Sequence, residues 1–461
     1  MAAALALSIA SGCSKAGGAN DAGAVARTTG ANVVAEVSLP HVESQEPVDR
    51  LERLRSAGRF DEFIAAALVA SDEHPQDATL QLLCSEALLA AGRNEEAEQT
   101  ALRAALIDGK QPELAAQAIK HWTAARLRQG GSLDSPMLLP VLAQQPADEP
   151  AVSMLRFWQE TLDGRHTYRL PQSDLPASSL PLAQAAARSL PYELAAIQAR
   201  VNGATLPLVF IDTGGQHTLM TAAAARDAGV RIGSSSTQLT GFVGLTAQAG
   251  LIETLELGSL VLHDVPVLVG DSPPLVAAQG QMSLGTDLMQ HVRFTIDYPA
   301  RQVTAEPAAQ PRAAAHEHAW SIPVWTFPQI CLARGEMPDG ASARVLIDTG
   351  DRAGTFVSYR WARRNLPQLE GPSASMVFRY KKRDLTLDAL ELGSGRLTDW
   401  PVVDTIPTEL DRLHLVDVML GHDLLAFYRL TIDLPGRVLE LRAASNVPAA
   451  SAGPGVTHDL P

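Results

Sequence analysis

The hydrophobic pattern divides the chain into a helical part and a β-rich part. Over residues 46–128, apolar positions recur three or four residues apart, which is the spacing of amphipathic helices. Over residues 192–443, short runs of valine, isoleucine, leucine and threonine alternate with glycine-containing turns, which is typical of strands. The stretch 129–191 has prolines and no clean period, and it is interpreted as a connector with some helix near 154–162. We therefore expect an α+β multidomain protein.

The helical part contains an internal repeat. The tripeptide Ala-Gly-Arg at 57–59 recurs at 91–93, a period of 34 (91 − 57). This is the period of tetratricopeptide repeats, each of which is one helix-turn-helix unit. The region resembles about two such repeats followed by a further helix at 112–128, and a plain bundle of helical hairpins is the alternative. Because concave helical-repeat surfaces bind other proteins, a protein partner is expected here.

The β-rich part is duplicated. In each copy an apolar strand runs into Asp-Thr-Gly, at Asp212 and at Asp348, which are 136 residues apart (348 − 212). A Leu-Gly-x-Asp-Leu element follows in both copies, with Asp287 and Asp423 each 75 residues after the first aspartate (287 − 212 and 423 − 348). A single Asp-Thr-Gly is ordinary turn chemistry. Two of them at the ends of matching strands, with matching spacing, indicate a function.

These motifs resemble those of retropepsin-like aspartic peptidases. The resemblance covers about half of the chain, with 192–306 and 316–443 as two similar all-β lobes and 307–315 as the linker between them. It implies a pepsin-like bilobal unit in which Asp212 and Asp348 form the catalytic pair.

The same resemblance assigns the other residues of the two loops. It implies that Thr213 and Thr349 hold the loops together by hydrogen bonds, and that Gly214 and Gly350 permit close approach of backbone and substrate. A single retropepsin-like domain supplies one aspartate and must dimerise, whereas this chain carries both. The catalytic unit is therefore expected to be a monomer, and pairing of each lobe with its equivalent in a second chain is the alternative.

Peptide hydrolysis explains why two carboxyls are needed. A base must take a proton from water, and an acid must protonate first the carbonyl oxygen and then the leaving nitrogen. Two adjacent carboxyls cannot both ionise, so the pair retains one proton; aspartic peptidases are the standard example of this arrangement.

The resemblance also predicts a flap, a hairpin that closes over substrate and excludes water. In the first copy, Gly241, Phe242, Val243 and Gly244 fit this role, with the glycines at hinge or tip positions. The corresponding stretch of the second copy, 376–381, contains no glycine. One working flap is therefore expected.

Other polar residues near the motifs are assigned structural roles. His217 has no partner at a spacing that supports a metal site or a catalytic triad, and it is interpreted as a turn or surface histidine. Asp287 and Asp423 precede Leu-rich stretches and are expected to be helix N-caps. Asp351 and Arg352 are interpreted as a solvent-facing pair, and a third negative charge beside the catalytic pair is the alternative.

The composition argues against several classes of partner. The 461 residues are 46% hydrophobic and 19% charged, with a net charge of −14. That charge argues against nucleic acid and anionic membrane surfaces, which attract clustered lysine and arginine. The three cysteines, Cys13, Cys84 and Cys331, form neither a metal-ligand pattern nor a disulfide framework. No metal or other cofactor is expected.

The N-terminal 13 residues resemble the signal peptide and lipobox of bacterial lipoproteins. The apolar stretch 2–10 leads into Ser-Gly-Cys, although no lysine or arginine precedes it. The resemblance implies lipid attachment at Cys13 and a periplasmic or outer-membrane-anchored protein of a Gram-negative bacterium, which meets the membrane only through its lipid. Plain secretion and an unprocessed cytosolic N-terminus are alternatives. Residues 14–45 are interpreted as a flexible tether and 444–461 as a flexible tail.

The function that these patterns predict is that of an aspartic endopeptidase acting on envelope proteins or peptides. Because both motifs lie beyond residue 165, a fragment that lacks 1–165 is expected to fold and to cleave short peptides. The alternatives are a non-catalytic peptide-binding module and an envelope scaffold based on the helical repeats.

Overall fold

The computed structural model of the protein describes residues 45–107, 111–170, 176–183, 194–239, 245–311, 319–328, 330–351, 354–365, 385–402, 404–405 and 415–443. The predictions that lie outside these residues concern the signal peptide with Cys13, the tether up to residue 44, the tail 444–461, and the flap residues Gly241, Phe242, Val243 and Gly244. None of the helices within the described ranges is long and apolar enough to cross a membrane. The protein has an α+β multidomain fold, with a helical region followed by a β-rich part.

The helical region begins with five helices that pack in sequence order. They are α1 (Gln45–Ser56), α2 (Phe60–Glu73), α3 (Ala78–Ala90), α4 (Asn94–Ile107) and α5 (Pro112–Gln129), and α6 (Leu139–Gln144) and α7 (Pro150–Leu162) follow. The turn of each helical hairpin, α1–α2 and α3–α4, requires a left-handed backbone, and Gly58 and Gly92 supply it with φ of +69° and +73°. The repeated Ala-Gly-Arg therefore marks the same turn in two successive hairpins.

The first lobe is a seven-stranded sheet closed on itself. Its strands are β2 (Ala196–Val201), β3 (Ala204–Ile211), β4 (Leu219–Met220), β5 (Arg231–Leu239), β6 (Leu245–Leu257), β7 (Leu260–Val269) and β8 (Met282–Leu284). The order is β2-β3-β8-β4-β7-β6-β5, and a further pairing of β2 with β6 closes the sheet. The short helices are α8 (Ala222–Asp227), α9 (Pro273–Ala277) and a 3-10 turn, Leu288–Gln290.

The second lobe repeats the centre of this arrangement. Its elements are β12 (Cys331–Glu336), β13 (Ser342–Ile347), β14 (Phe356–Val357), α10 (Tyr359–Asn365), β15 (Leu385–Leu392), β16 (Gly395–Val402), β17 (Asp404–Thr405), β18 (Val418–Leu420) and α11 (His422–Leu425). As β3 runs parallel to β8 and β8 antiparallel to β4, so β13 runs parallel to β18 and β18 antiparallel to β14. The sequence duplication is thus a duplication of strand topology.

A six-stranded antiparallel sheet joins the two lobes. Its strands are β1 (Ser178–Pro181), β9 (Val292–Asp297), β10 (Gln302–Pro307), β11 (Ala319–Thr326), β19 (Tyr428–Asp433) and β20 (Val438–Ala443). The order is β1-β10-β9-β19-β20-β11, so β9 of the first lobe pairs with β19 of the second at its centre. Strand β1 comes from the predicted connector, which means that the first lobe's share of this sheet begins before residue 192.

The helical region shares an apolar core with the second lobe. Phe60 of α2 contacts the rings of Trp325 and Phe327, with 5.1 Å between ring centroids in both pairs. The same core contains Leu346 and Met419, which lie on β13 and β18. The strand that delivers the second Asp-Thr-Gly is therefore covered by the helical region.

Polar contacts fix this interface further. Arg128, at the end of α5, donates to the carbonyl oxygens of Leu89, Thr326 and Phe327 at 2.9 to 3.0 Å. On the first lobe, Trp158 of α7 donates from Nε1 to the carbonyl oxygen of Gly250 at 2.9 Å. The expectation of an independent catalytic fragment without residues 1–165 is therefore wrong, because its removal would expose core surface on both lobes.

Candidate active site

Two buried strands deliver the two aspartates to the same place. Strand β3 ends at Ile211 and β13 at Ile347, and the next residues, Asp212 and Asp348, are 1% and 0% exposed. Each aspartate donates its backbone N–H to the end of the neighbouring parallel strand, to Leu284 and Leu420, at 3.0 and 2.9 Å. The parallel strand pairs thus set the position of each loop.

The threonines of the two motifs lock the loops together across the interface. Thr213 Oγ1 accepts from the backbone N–H of Thr349 at 3.0 Å and donates to the carbonyl oxygen of Ile347 at 2.5 Å. Thr349 Oγ1 makes the reciprocal bonds, accepting from Thr213 N–H at 3.0 Å and donating to Ile211 at 2.7 Å. Every donor and acceptor in this exchange is buried, so each bond is strongly favoured over an unpaired group.

The motif glycines bring each loop against the opposite carboxyl group. A Cβ at Gly214 would lie 2.5 to 2.6 Å from the carboxyl atoms of Asp348, and a Cβ at Gly350 would lie 2.5 to 3.1 Å from those of Asp212. Real Cβ atoms do not approach other atoms so closely, so only glycine fits at either position. The two carboxyl groups therefore lie side by side, each enclosed by the other loop.

Hydrogen bonding differs between the two carboxyls. Asp212 Oδ1 accepts from the N–H groups of Gly214 and Gly215, both at 3.0 Å, and Oδ2 accepts from Ser283 Oγ at 3.0 Å. In the second lobe, the position on β18 that matches Ser283 is held by Met419, which has no hydroxyl to donate.

Asp348 accordingly receives fewer hydrogen bonds. Its Oδ1 accepts from Gly350 N–H at 2.8 Å. Its Oδ2 is buried and has no hydrogen-bond partner within the described part of the chain. An unpaired buried carboxyl oxygen is costly when ionised and suits a protonated group that donates to a bound molecule.

The electrostatics follow from this asymmetry. Burial raises the pKa of Asp212 to about 6, opposed by the hydrogen bonds from Ser283 and the glycine amides. Burial raises the pKa of Asp348 well above its ordinary value, and the negative charges of Asp212 and Asp351 raise it further. The two carboxyls titrate as a pair, and the proton that they share resides mainly on Asp348.

The interpretation of Asp351 as solvent-facing is wrong. Asp351 is 1% exposed, and a Cβ on Gly421 would lie 2.5 Å from its Oδ2. The second loop turns this side chain inward against the Leu-Gly-His-Asp element, where its charge raises the pKa of Asp348. The matching position in the first lobe is Gly215, so the third carboxyl belongs to the second lobe alone.

Asp287 and Asp423 anchor the chain that leaves each catalytic loop. Asp287 accepts from Thr218 N–H at 2.9 Å and from its hydroxyl at 2.8 Å, and Asp423 binds Thr355 in the same way at 3.0 Å. Asp287 also caps the 3-10 turn through Leu288 N–H at 2.7 Å. N-capping is thus one part of a larger role, which the sequence did not indicate because the threonines lie about 68 residues away.

The other polar candidates are partly or fully buried. His217 is half-buried, its Nδ1 lies 3.9 Å from Asp287 Oδ2, and burial lowers its pKa. Cys84 and Cys331 are buried free thiols, and burial raises the pKa of Cys331 to about 12. Across the described ranges, no group of three or more histidine, cysteine or acidic side chains could hold a metal ion.

Comparison with known proteins places the first lobe in a recognisable class. Residues 197–288, which are 92 of the 461 (288 − 197 + 1), match the family model described as aspartyl protease. The first lobe is similar to an aspartyl protease domain. The matched segment contains Asp212, Ser283 and Asp287.

Two further comparisons cover the whole chain. No curated protein matches it. Among solved structures, that of the aspartic proteinase from Irpex lacteus aligns with 60% of this chain and with all of its own, at 14% sequence identity and a TM-score of 0.39.

Proposed function

We propose that the protein is an aspartic endopeptidase that hydrolyses peptide bonds with water activated by Asp212 and Asp348. The observation that carries this proposal is the enclosure of the two carboxyls side by side, each against the glycine of the other loop. Buried paired carboxylates with widely separated pKa values are a common arrangement for acid–base catalysis. The match of the first lobe to aspartyl proteases supports the same reaction.

The asymmetry of the pair assigns a role to each carboxyl. Asp212, stabilised as the anion by three donors, is the base that takes a proton from the attacking water. Asp348, protonated, donates to the carbonyl oxygen as the tetrahedral intermediate forms. The proton gained by Asp212 then passes to the leaving nitrogen, and the pair returns to one shared proton. Burial of both groups strengthens each of these interactions.

Replacing each aspartate by asparagine tests the mechanism. Asp212→Asn and Asp348→Asn are nearly isosteric, and each should reduce kcat on a peptide substrate by at least about 10²–10⁴-fold, the usual contribution of one acid–base group. Asp399→Asn is the matched control, because Asp399 is exposed and has φ of +48°, a conformation that asparagine tolerates. Near-normal turnover in either active-site variant would exclude the shared-proton mechanism.

The result of that experiment also separates catalysis from simple binding. A wild-type protein that binds peptides tightly without cleaving them would favour the non-catalytic peptide-binding alternative. Wild-type cleavage that resists chelators and serine- or cysteine-directed reagents supports the aspartic mechanism, because that mechanism uses neither a metal nor a nucleophilic side chain.

We further propose that the natural substrates are envelope proteins or peptides and that Cys13 carries a lipid. The lipobox-like sequence before Cys13 is what supports this location. Cys13→Ser should move the protein from the membrane fraction to the soluble fraction of a Gram-negative host. An unchanged distribution would contradict lipid anchoring without affecting the catalytic proposal.

A protein partner on the helical repeats stays a prediction. The helices already contact the second lobe through α2 and α3, and the large apolar side chains left exposed on α2 and α4 include Val69 and Leu106. We propose a tetratricopeptide-like array whose main contact is intramolecular.

A further inference from the structure

A cavity of about 80 Å³ lies where the helical region meets the first catalytic loop. One wall is formed by α5 and α7, another by Gln216 and His217, and a third by Pro328 of the second lobe. Gln216 follows Asp212 by four residues, so their Cα atoms are no more than about 15 Å apart. At about 10–15 Å³ per water-sized group, the cavity has room for roughly six such groups, the size of one carboxylate-bearing residue end.

The lining carries one lasting positive charge and no acidic residue. Lys120 of α5 is half-buried here, and among the described residues no carboxylate lies within 4 Å of its ammonium group. The nearby acid, Glu149, caps α7 by accepting from Val152 N–H at 2.9 Å. The histidines in the lining are neutral at pH 7, since burial lowers the pKa of His121 to about 3 and lowers that of His217 below its ordinary value.

Two polar atoms in the lining are buried and lack partners. These are Thr123 Oγ1 and Gln216 Oε1, neither of which has a hydrogen bond within the described part of the chain. A hydroxyl can donate and an amide oxygen can accept, so together with Lys120 they offer two donors and one acceptor. Unpaired buried polar atoms are rare, and a cluster of them beside an unpaired lysine requires an explanation.

We propose that this cavity is a substrate subsite that binds a carboxylate-bearing residue of the peptide. Lys120 and the Thr123 hydroxyl hold the carboxylate, and Gln216 Oε1 accepts a peptide N–H. The carboxylate belongs either to the peptide's C-terminus or to an acidic side chain. The proposal rests on the proposed peptidase function and adds a substrate class to it, peptides with a carboxylate within a few residues of the scissile bond. The helical region thereby contributes directly to specificity.

Matched peptide pairs test the subsite. One pair differs only in a C-terminal acid or amide, and the other, amidated throughout, differs only in Glu or Gln at scanned positions within four residues of the cleaved bond. We expect kcat/KM to be about tenfold higher for the acidic member of one pair, because charge-assisted hydrogen bonds are worth about 1.5–3 kcal/mol. The pair that shows the preference identifies the source of the carboxylate.

Variants of Lys120 tie the preference to the cavity. Lys120→Met should abolish the preference by raising KM for the acidic peptide, with kcat and the rate on the neutral peptide unchanged, and Lys120→Arg should restore part of it. Arg53→Met is the matched control, since it removes one exposed positive charge from α1, outside the cavity lining. Cleavage without preference for acidic peptides, or a preference that survives in Lys120→Met, would overturn the subsite.

A binding measurement keeps the two proposals distinguishable. If the wild-type protein cleaves no peptide in either series, the peptidase proposal fails, and fluorescence anisotropy with labelled acid and amide peptides still judges the cavity. About tenfold tighter binding of an acidic peptide, lost in Lys120→Met but not in Arg53→Met, supports the subsite. Equal binding of acid and amide by all three proteins contradicts it.

Discussion

Thr295 of β9 and Thr431 of β19 face each other at the centre of the sheet that joins the lobes, with their hydroxyl oxygens 3.1 Å apart. They are 136 residues apart, as are Thr213 and Thr349, whose hydroxyl oxygens are 3.3 Å apart. Both pairs join equivalent positions of the two lobes. A local two-fold axis therefore passes through the interlobe sheet and between the catalytic loops, and the departures from symmetry described above occur close to it.

Removing one threonine hydroxyl of the loop pair should cost both stability and activity. Thr213→Val leaves the Thr349 N–H and the Ile347 carbonyl buried without partners, at about 1–3 kcal/mol each. We expect the free energy of unfolding to fall by about 2–5 kcal/mol in urea titrations, with a large loss of kcat. Thr213→Ser keeps the hydroxyl and serves as control. A valine variant as stable as the serine variant would show that these bonds contribute little.

Peptide hydrolysis should be fastest near neutral pH. Catalysis requires Asp212 ionised, and because burial raises the pKa of Asp212 to about 6, activity should increase as pH rises through that value. Asp348 must be protonated, and its pKa is raised well above the ordinary value, so activity should be lost only at higher pH. A pH profile of kcat/KM measures both limbs. An optimum between pH 3 and 4 would contradict the assigned roles.

The acid limb of that profile should respond to Ser283. The Ser283 hydroxyl lowers the pKa of Asp212 by stabilising its anion, so Ser283→Ala should raise this pKa and move the acid limb to higher pH. Ser283→Thr, which retains a hydroxyl, should leave the limb close to its wild-type position. Met419→Leu changes the equivalent position of the second lobe and provides a packing control. An acid limb unmoved by the alanine variant would indicate that another donor stabilises Asp212.

Deleting the helical region should prevent the lobes from folding as a soluble unit. A fragment that begins at residue 166 would expose Trp325, Phe327 and the covered face of β13 and β18. We expect aggregation or loss of near-UV circular dichroism. Supplying residues 45–165 as a separate chain during refolding should restore solubility and activity. A soluble, active fragment on its own would show that the interface is dispensable.

The sequence predicts those parts of the site that repeat. Asp212 and Asp348 were assigned to one site because each ends an apolar strand at the same offset, and the structure encloses them together. Ser283 could not be predicted, because a serine on a short strand gives no signal until the parallel pairing of β3 with β8 brings it to the loop. Asp351 was misplaced for a related reason, since its direction depends on a turn that has no match in the first lobe.

The fold shows the same division between local and long-range information. Helical spacing predicts α1 to α5 because the pattern lies within each helix. The packing of these helices on the second lobe depends on Trp325 and Phe327, which lie in a strand about 200 residues later in the chain. Strand β1 was missed because four residues between prolines carry no period, and it exists only through its pairing with β10.

The buried contact of Arg128 with Thr326 spans 198 residues of chain, which has a consequence for synthesis. At about 5–20 residues per second, the ribosome needs roughly 10–40 s to reach Thr326 after it has made Arg128. Helix hairpins form within microseconds to milliseconds, so α1 to α5 have time to pack against one another before β11 emerges. The second lobe therefore folds onto a surface that is already present, and it should be the last part of the nascent chain to gain protection from proteases.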